Sequence, residues 1–236
     1  MPGDVLVELR GVTQDYHALR PLRIDLLEVR QGQSLALVGF DLAMAELLVN
    51  LITGANIPDT GDVRVFGRLT RDITRAEEWV GTLDKFGLIS ERAVLVDQFT
   101  VEQNLALPLS LDIDEMSPAL RAKVRELADE VSLPTDALTA PTASLPSAMK
   151  LRLRLGRALT LSPRVLLAEH PNASLDPDEL PGFAADFARI VNGRRVASIV
   201  MTADRTFASA VADEVLTLEP ATGVLKAAAG WRRWFA

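Results

Sequence analysis

Leu35-Ala36-Leu37-Val38-Gly39-Phe40-Asp41-Leu42-Ala43-Met44-Ala45-Glu46-Leu47-Leu48 is the stretch on which the fold turns. Residues 34–38 are a short apolar run, the length of a buried central strand. Gly39 interrupts it. From Leu42 to Ile52 apolar residues return at helical spacing, and Gly54 stands where a helix C-cap belongs. Pro58–Gly61 reads as a turn, and Asp62–Phe66 alternates as a half-buried strand does.

Working outward, Val5–Leu9 and Pro21–Val29 read as strands, the second closed by the turn Gln31-Gly32-Gln33. The middle third, from about Arg71 to Leu138, is mostly helical in pattern. It holds helices over Val101–Leu109 and Pro118–Val131, with an acidic loop, Asp112–Ser117, between them. Pro134–Pro146, rich in Pro, Thr and Ala, reads as a linker. Then come a helix over Ser147–Leu161, a strand over Val165–Ala168, a helix over Pro177–Val191, a strand over Ala197–Met201, a helix over Arg205–Ala212 and a strand over Val215–Leu218. Strands alternating with helices imply a mainly parallel sheet covered on both faces, here with a helical insertion.

Composition narrows the function. The chain has 236 residues and a net charge of −7, with Lys and Arg scattered, so no basic patch argues for a nucleic-acid partner. It has no cysteine, which excludes disulfides and thiolate metal sites. His17 and His170 are too far apart in sequence to argue for a metal site, and no metal is expected. No apolar run approaches the ~18–20 residues of a membrane span, and the first residues lack the layout of a signal peptide. A cytoplasmic location is expected, peripheral at the inner face of the membrane, with membrane contact made through partners.

The strand–Gly39–loop–helix layout is similar to a P-loop, G-x-x-x-x-G-K-[ST], whose N–H groups wrap phosphates, whose Lys neutralises them and whose hydroxyl binds Mg²⁺. The flanks sharpen the likeness. Leu48–Gly54 and Asp59-Thr60-Gly61-Asp62-Val63-Arg64-Val65-Phe66-Gly67 resemble the ATP-binding-cassette (ABC) ATPase domain of membrane transporters, with the spacing from Gly39 to Gly54 preserved. The resemblance runs from about Val5 to Leu218. It implies an α/β fold of the P-loop NTPase-like ABC ATPase kind: a mainly parallel core, an N-terminal antiparallel β part and a helical subdomain. One domain over 1–236 is expected, with the core at about 1–90 and 160–225 and the helical subdomain at about 91–159.

The resemblance also locates the site. It puts the second P-loop glycine at Met44, the Lys at Ala45 and the Mg²⁺-binding hydroxyl at Glu46. Tyr16 falls at the adenine-stacking aromatic, and Glu91 at the Q-loop Gln. Leu145-Pro146-Ser147-Ala148-Met149 stands at the Leu-Ser-Gly-Gly-Gln signature. Glu169 and His170 stand at the Walker B Asp and the general-base Glu. Ser174-Leu175-Asp176 matches the D-loop, and Ala203 replaces the switch His. Ala45 brings no cation, Glu46 brings a carboxylate, and Met44 carries a Cβ where glycine would turn freely. Asp41 is a preferred N-cap residue, expected to accept from the N–H of Ala43 or Met44 and so to close the helix end to phosphate.

The reading is therefore a degenerate, pseudo-ATPase cassette without catalytic residues and without ATP or Mg²⁺ as cofactor. It would assemble with an ABC permease subunit and a second ABC ATPase subunit. Two alternatives stand beside it: an active ABC ATPase using ATP and Mg²⁺ with unusual residues, and a binding module independent of a transporter. Tyr16 packing at a strand end is the alternative to adenine stacking. Glu46 as a plain surface residue and His170 as a buried or capping histidine are further alternatives. Trp231-Arg232-Arg233-Trp234-Phe235 would suit either a membrane surface or packing on the domain.

Overall fold

Residues 34–38 are fully buried because both faces of the strand they form are covered. Residues 3–227 are described in a computed structural model; the Trp231–Phe235 segment lies outside them. The strands are β1 (Val5–Gln14), β2 (Leu22–Arg30), β3 (Ser34–Val38), β4 (Thr60–Val65), β5 (Arg68–Leu69), β6 (Phe86–Ile89), β7 (Val165–Glu169), β8 (Ala197–Met201), β9 (Glu214–Glu219) and β10 (Val224–Ala227). The helices are α1 (Leu42–Thr53), α2 (Ala76–Leu83), α3 (Val101–Ala106), α4 (Pro118–Glu130), α5 (Ser147–Leu159), α6 (Leu180–Arg194) and α7 (Arg205–Val211).

Two sheets result. An antiparallel sheet has the order β2-β1-β4-β5, and a second has the order β10-β9-β3-β8-β7-β6, parallel throughout except for β10. The period-two alternation of the central strands sorts the core into two layers. Leu35, Leu37, Val165, Leu167, Ala197, Ile199 and Met201 face α1 and the antiparallel sheet. Ala36, Val38, Leu166, Ala168 and Val200 face the opposite way, toward α6, α7 and the helical unit α3–α5. This is an α/β architecture with a mainly parallel core, an antiparallel β part and a helical segment, as expected.

Three details differ from the expectation. The mostly helical stretch over Arg71–Leu138 contains β6, which pairs in parallel with β7 from Phe86↔Val165 to Ile89↔Ala168. Its four residues, Phe-Gly-Leu-Ile, are too few to show a period, and Gly87 masks the strand pattern. That glycine is required: a Cβ there would lie 2.4 Å from the Ala158 carbonyl oxygen of α5. The expected linker Pro134–Pro146 is packed, with 3₁₀ turns at Thr135–Ala137 and Thr142–Ser144 and a bridge between Thr100 and Pro141. Its anchor is the fully buried Asn104, whose amide donates to Thr142 Oγ1 at 2.9 Å and to the Val96 carbonyl at 2.9 Å and accepts from the Val96 N–H at 3.0 Å. The C-terminal part adds β10 to the edge of the sheet beyond β9.

Candidate functional site

Parallel strands end on one side, and loops leaving those ends converge there. The ends of β3, β6, β7 and β8 therefore gather residues 39–46, 90–92, 169–170 and 202–204, which are remote in sequence. A cleft of about 270 Å³ lies among them, lined by Leu42, Glu46, Ser90, Glu91, Arg92, Glu169, His170 and Ala173.

The P-loop-like segment starts at Gly39, whose φ of +94° suits glycine. Phe40 turns inward and is buried in the core layer beneath α1. Asp41 is the N-cap of α1: its Oδ1 accepts from the Met44 N–H at 2.8 Å, and its carbonyl accepts from the Ala45 N–H at 2.9 Å. At the other end of α1, Gly54 is left-handed at φ +75°, and its N–H returns to the Leu51 carbonyl. Ala45 is 0% exposed. Tyr16 is half-buried against the same apolar layer. Burial, and secondarily the Asp41 carboxylate, push its phenol above the ordinary tyrosine range.

Across the cleft stands Glu169, its side chain only 8% exposed. Ser90 Oγ donates to Glu169 Oε2 at 2.5 Å. Arg92 Nε donates to the same oxygen at 3.2 Å, and Arg92 Nη2 forms a shorter bond to Oε1. Arg92 Nη1 lies 3.3 Å from Glu46. A guanidinium thus stands between the two carboxylates. Hydrogen bonding to Glu169 holds Arg92 above the usual arginine range, against an opposing push from burial. Arg92 and Ser90 were not singled out from the sequence. The available signal was charge compensation, because two carboxylates replace a hydroxyl and a shorter acid where the resemblance places Mg²⁺, and a cation follows Glu91.

Glu91 turns away from Glu169. Its two oxygens accept from Arg154 Nη1 and Nη2 at 2.8 and 2.7 Å on α5. His170 adopts φ +44°, its N–H donates to the Met201 carbonyl at 2.8 Å, and its carbonyl accepts from the Ala173 N–H at 3.0 Å. Its Nε2 is buried without a partner among the described residues. Ala203 is exposed, between Thr202, which donates to Asn172 Oδ1 at 2.8 Å, and Asp204, which caps α7 by accepting from Thr206 and Phe207.

The remaining positions lie elsewhere. Leu145 is buried, Pro146 sits at the cap position of α5 without a side-chain bond, and Ser147 is exposed. Pro146, Ala148 and Met149 line a depression shared with Asp178 and Phe183, apart from the cleft. Ser174 and Asp176 are exposed, Leu175 packs against the core, and the Asp176 N–H donates to Glu179 at 3.2 Å.

The profile of the ABC transporter family matches residues 23–173. The chain is 30% identical over 218 residues to the methionine import ATP-binding protein MetN of Leifsonia xyli subsp. xyli, covering 90% of this chain and 63% of that protein. It is 29% identical over 215 residues to the sulfate/thiosulfate import ATP-binding protein CysA of Bordetella bronchiseptica, covering 90% of this chain and 59% of that one. The chain thus spans less than two thirds of the length of these relatives. Among solved structures it superimposes on the ATP-binding cassette MJ0796 in a dimeric post-hydrolysis state with ADP and Pi, with TM-score 0.77, 20% identity and coverage of 94% of this chain and 98% of that one. Similar agreement holds for cbiO1 from Clostridium perfringens, part of the transporter complex cbiONQ, with TM-score 0.80, 16% identity and coverage of 94% and 87%.

Proposed function

The chain belongs to the ABC transporter family, and from that premise we propose that it is a cassette retained for assembly or regulation of a transporter, without ATP turnover of its own. The observation that carries this reading is the closure of the P-loop segment on itself. The Asp41 carboxylate takes the Met44 N–H, and Ala45, which the resemblance puts at the phosphate-binding Lys, is fully buried. A helix N-terminus binds phosphate through free N–H groups; here one of them is taken by a carboxylate of the same chain. A triphosphate would have to displace that bond and face Asp41 with no lysine at Ala45 to offset the charge.

The Mg²⁺ side of the site points the same way. The residues at the metal positions, Glu46 and Glu169, are bridged by Arg92, and a cation added there would meet a guanidinium. These residues do not fit an ATP–Mg²⁺ complex, so no chemical step is assigned to one. His170 and Ala203 stand where a water-orienting carboxylate and a γ-phosphate contact would be required. The partners in this reading are an ABC permease subunit and a second ABC ATPase subunit; nucleic acid is not among them. No helix among the described residues is long and apolar enough to cross a membrane, so membrane contact would run through the permease at the inner face.

An active ABC ATPase is the second reading. It is favoured by the relatives, which are named import ATP-binding proteins. The test is a steady-state assay of Mg²⁺-dependent phosphate release by the purified chain. The proposal expects release no faster than in a blank; turnover abolished by a substitution within this cleft would establish the second reading instead. Retrieval of membrane permease subunits with the tagged chain supports the transporter role, and a chain recovered alone would favour a free-standing module.

A further inference from the structure

The chain leaves the parallel sheet at Ile89 and re-enters it at Val165, with α3–α5 in between. Residues 90–92 begin that excursion, and their side chains go opposite ways. Ser90 and Arg92 bind Glu169 on β7, and Arg92 also reaches Glu46 on α1; both partners belong to the α/β core. Glu91 binds both terminal nitrogens of Arg154 on α5, which packs with α3 and α4 in the helical unit. We propose that Ser90–Glu91–Arg92 is a latch that ties the cleft end of the helical unit to the α/β core, in addition to the buried cluster and the α6 ion pairs that join them, so that their relative placement beside the cleft is set without a ligand there.

The contacts are unequal, and burial ranks them. Arg92 and Glu46 are both well exposed, and a pair of that kind stabilises little. Glu169 is covered, and a covered carboxylate deprived of its cation is strongly unfavourable. Arg92–Glu169 is therefore the strong fastening on the core side. On the helical side Arg154 is 13% exposed and its Nε is buried without a partner among the described residues, so its bidentate contact with Glu91 is its main polar satisfaction there. A second tie lies close by, where Arg157 Nη1 on α5 donates to the Val94 carbonyl at 2.7 Å. Cutting both sides of the latch should loosen the helical unit at its cleft end, while the buried cluster it shares with the core and the ties of Arg152 to Asp186 and of Arg194 to Glu130 hold the rest.

The latch deepens the non-hydrolytic reading and takes its biological sense from it, but its geometry does not depend on that reading. The full chain contains no cysteine, so Asp25→Cys on β2 and Glu126→Cys on α4, both exposed positions, place one spin label on each body. Pulsed EPR on the labelled chain without nucleotide is expected to give one narrow distance distribution. Adding Glu91→Gln and Arg92→Ala is expected to widen it about twofold or more, with a fall of several degrees in Tm. An equally narrow distribution in the folded double variant overturns the latch. Should that variant fail to fold, Glu91→Gln alone removes only an exposed carboxylate; widening supports the latch and an unchanged width overturns it. Nucleotide binding is a separate measurement: ATP bound with an intact latch would defeat the functional reading and leave the latch standing.

Discussion

The Met44 N–H donates to Asp41 Oδ1 at 2.8 Å, so the first turn of α1 is capped from within the chain. The consequence is energetic as well as steric. Asp41→Ala should lower the unfolding free energy by about 0.5–2 kcal/mol, read as a shift in the urea midpoint at constant slope. A neutral result would show that the cap contributes nothing.

Restoring the P-loop lysine alone should fail. Ala45 is fully enclosed by the apolar layer under α1, so Ala45→Lys must bury an ammonium or push the helix outward, at a cost of about 1–3 kcal/mol. Glu46, His170 and Arg92 would remain, and groups that act as a unit are not rescued singly. Phosphate release and thermal unfolding of the variant are the two measurements; ordinary turnover would show that the loop opens readily.

Gly87 sets the approach of the helical unit to the sheet. Because an added Cβ would sit 2.4 Å from a backbone oxygen of α5, Gly87→Ala should destabilise by about 1–3 kcal/mol through overpacking. Denaturant unfolding checks this, and a wild-type midpoint would mean that α5 yields without cost.

Asn104 ties the segment after the latch to the Pro134–Pro146 stretch. Asn104→Ala should cost about 2–4 kcal/mol, because the Val96 N–H and the Thr142 hydroxyl lose a buried partner together. Hydrogen exchange should rise at Val96 and around Thr142, more than in β7 or β8.

Acid should weaken the contact between α6 and the helical unit. Burial raises the Asp186 carboxyl, but hydrogen bonds from Arg152 at 2.5 Å and Arg189 at 3.1 Å outweigh it and hold it below the ordinary carboxylate range. A depressed folded-state value means the contribution is complete above the unfolded value of about 4 and is lost as pH falls through and below it. Asp186→Asn should therefore flatten the acid limb of the stability curve below about pH 4. An unchanged limb would assign acid sensitivity elsewhere.

What was legible in the sequence follows from what has a period or a fixed residue. β3 and β8 were read to the residue and β7 to within one, because a strand buried on both faces is an unbroken apolar run. α1 was legible from its spacing, its cap Asp41 and Gly54. β6 was not, because four residues with a glycine among them carry no usable alternation. The order of the strands in each sheet is non-local and was not legible; the resemblance supplied only a mainly parallel core with an antiparallel part. The segments 39–46, 169–170 and 202–204 that the motifs marked do meet at the strand ends, whereas Pro146, Ala148 and Met149 lie apart. Arg92 was not legible, because its partners, Glu46 and Glu169, lie far away in sequence and meet it only at the strand ends. The packed Pro134–Pro146 segment reads as a linker because its anchor, Asn104, sits on another helix.

The central claim is that this cleft is closed to nucleotide by its own side chains. An equilibrium titration of the purified chain with a fluorescent mant-ATP, with and without Mg²⁺, tests it most directly. The account predicts no saturable signal into the millimolar range in either condition. Saturable, Mg²⁺-dependent binding in the micromolar range, weakened by substitutions at Glu46 or Glu169, would contradict it.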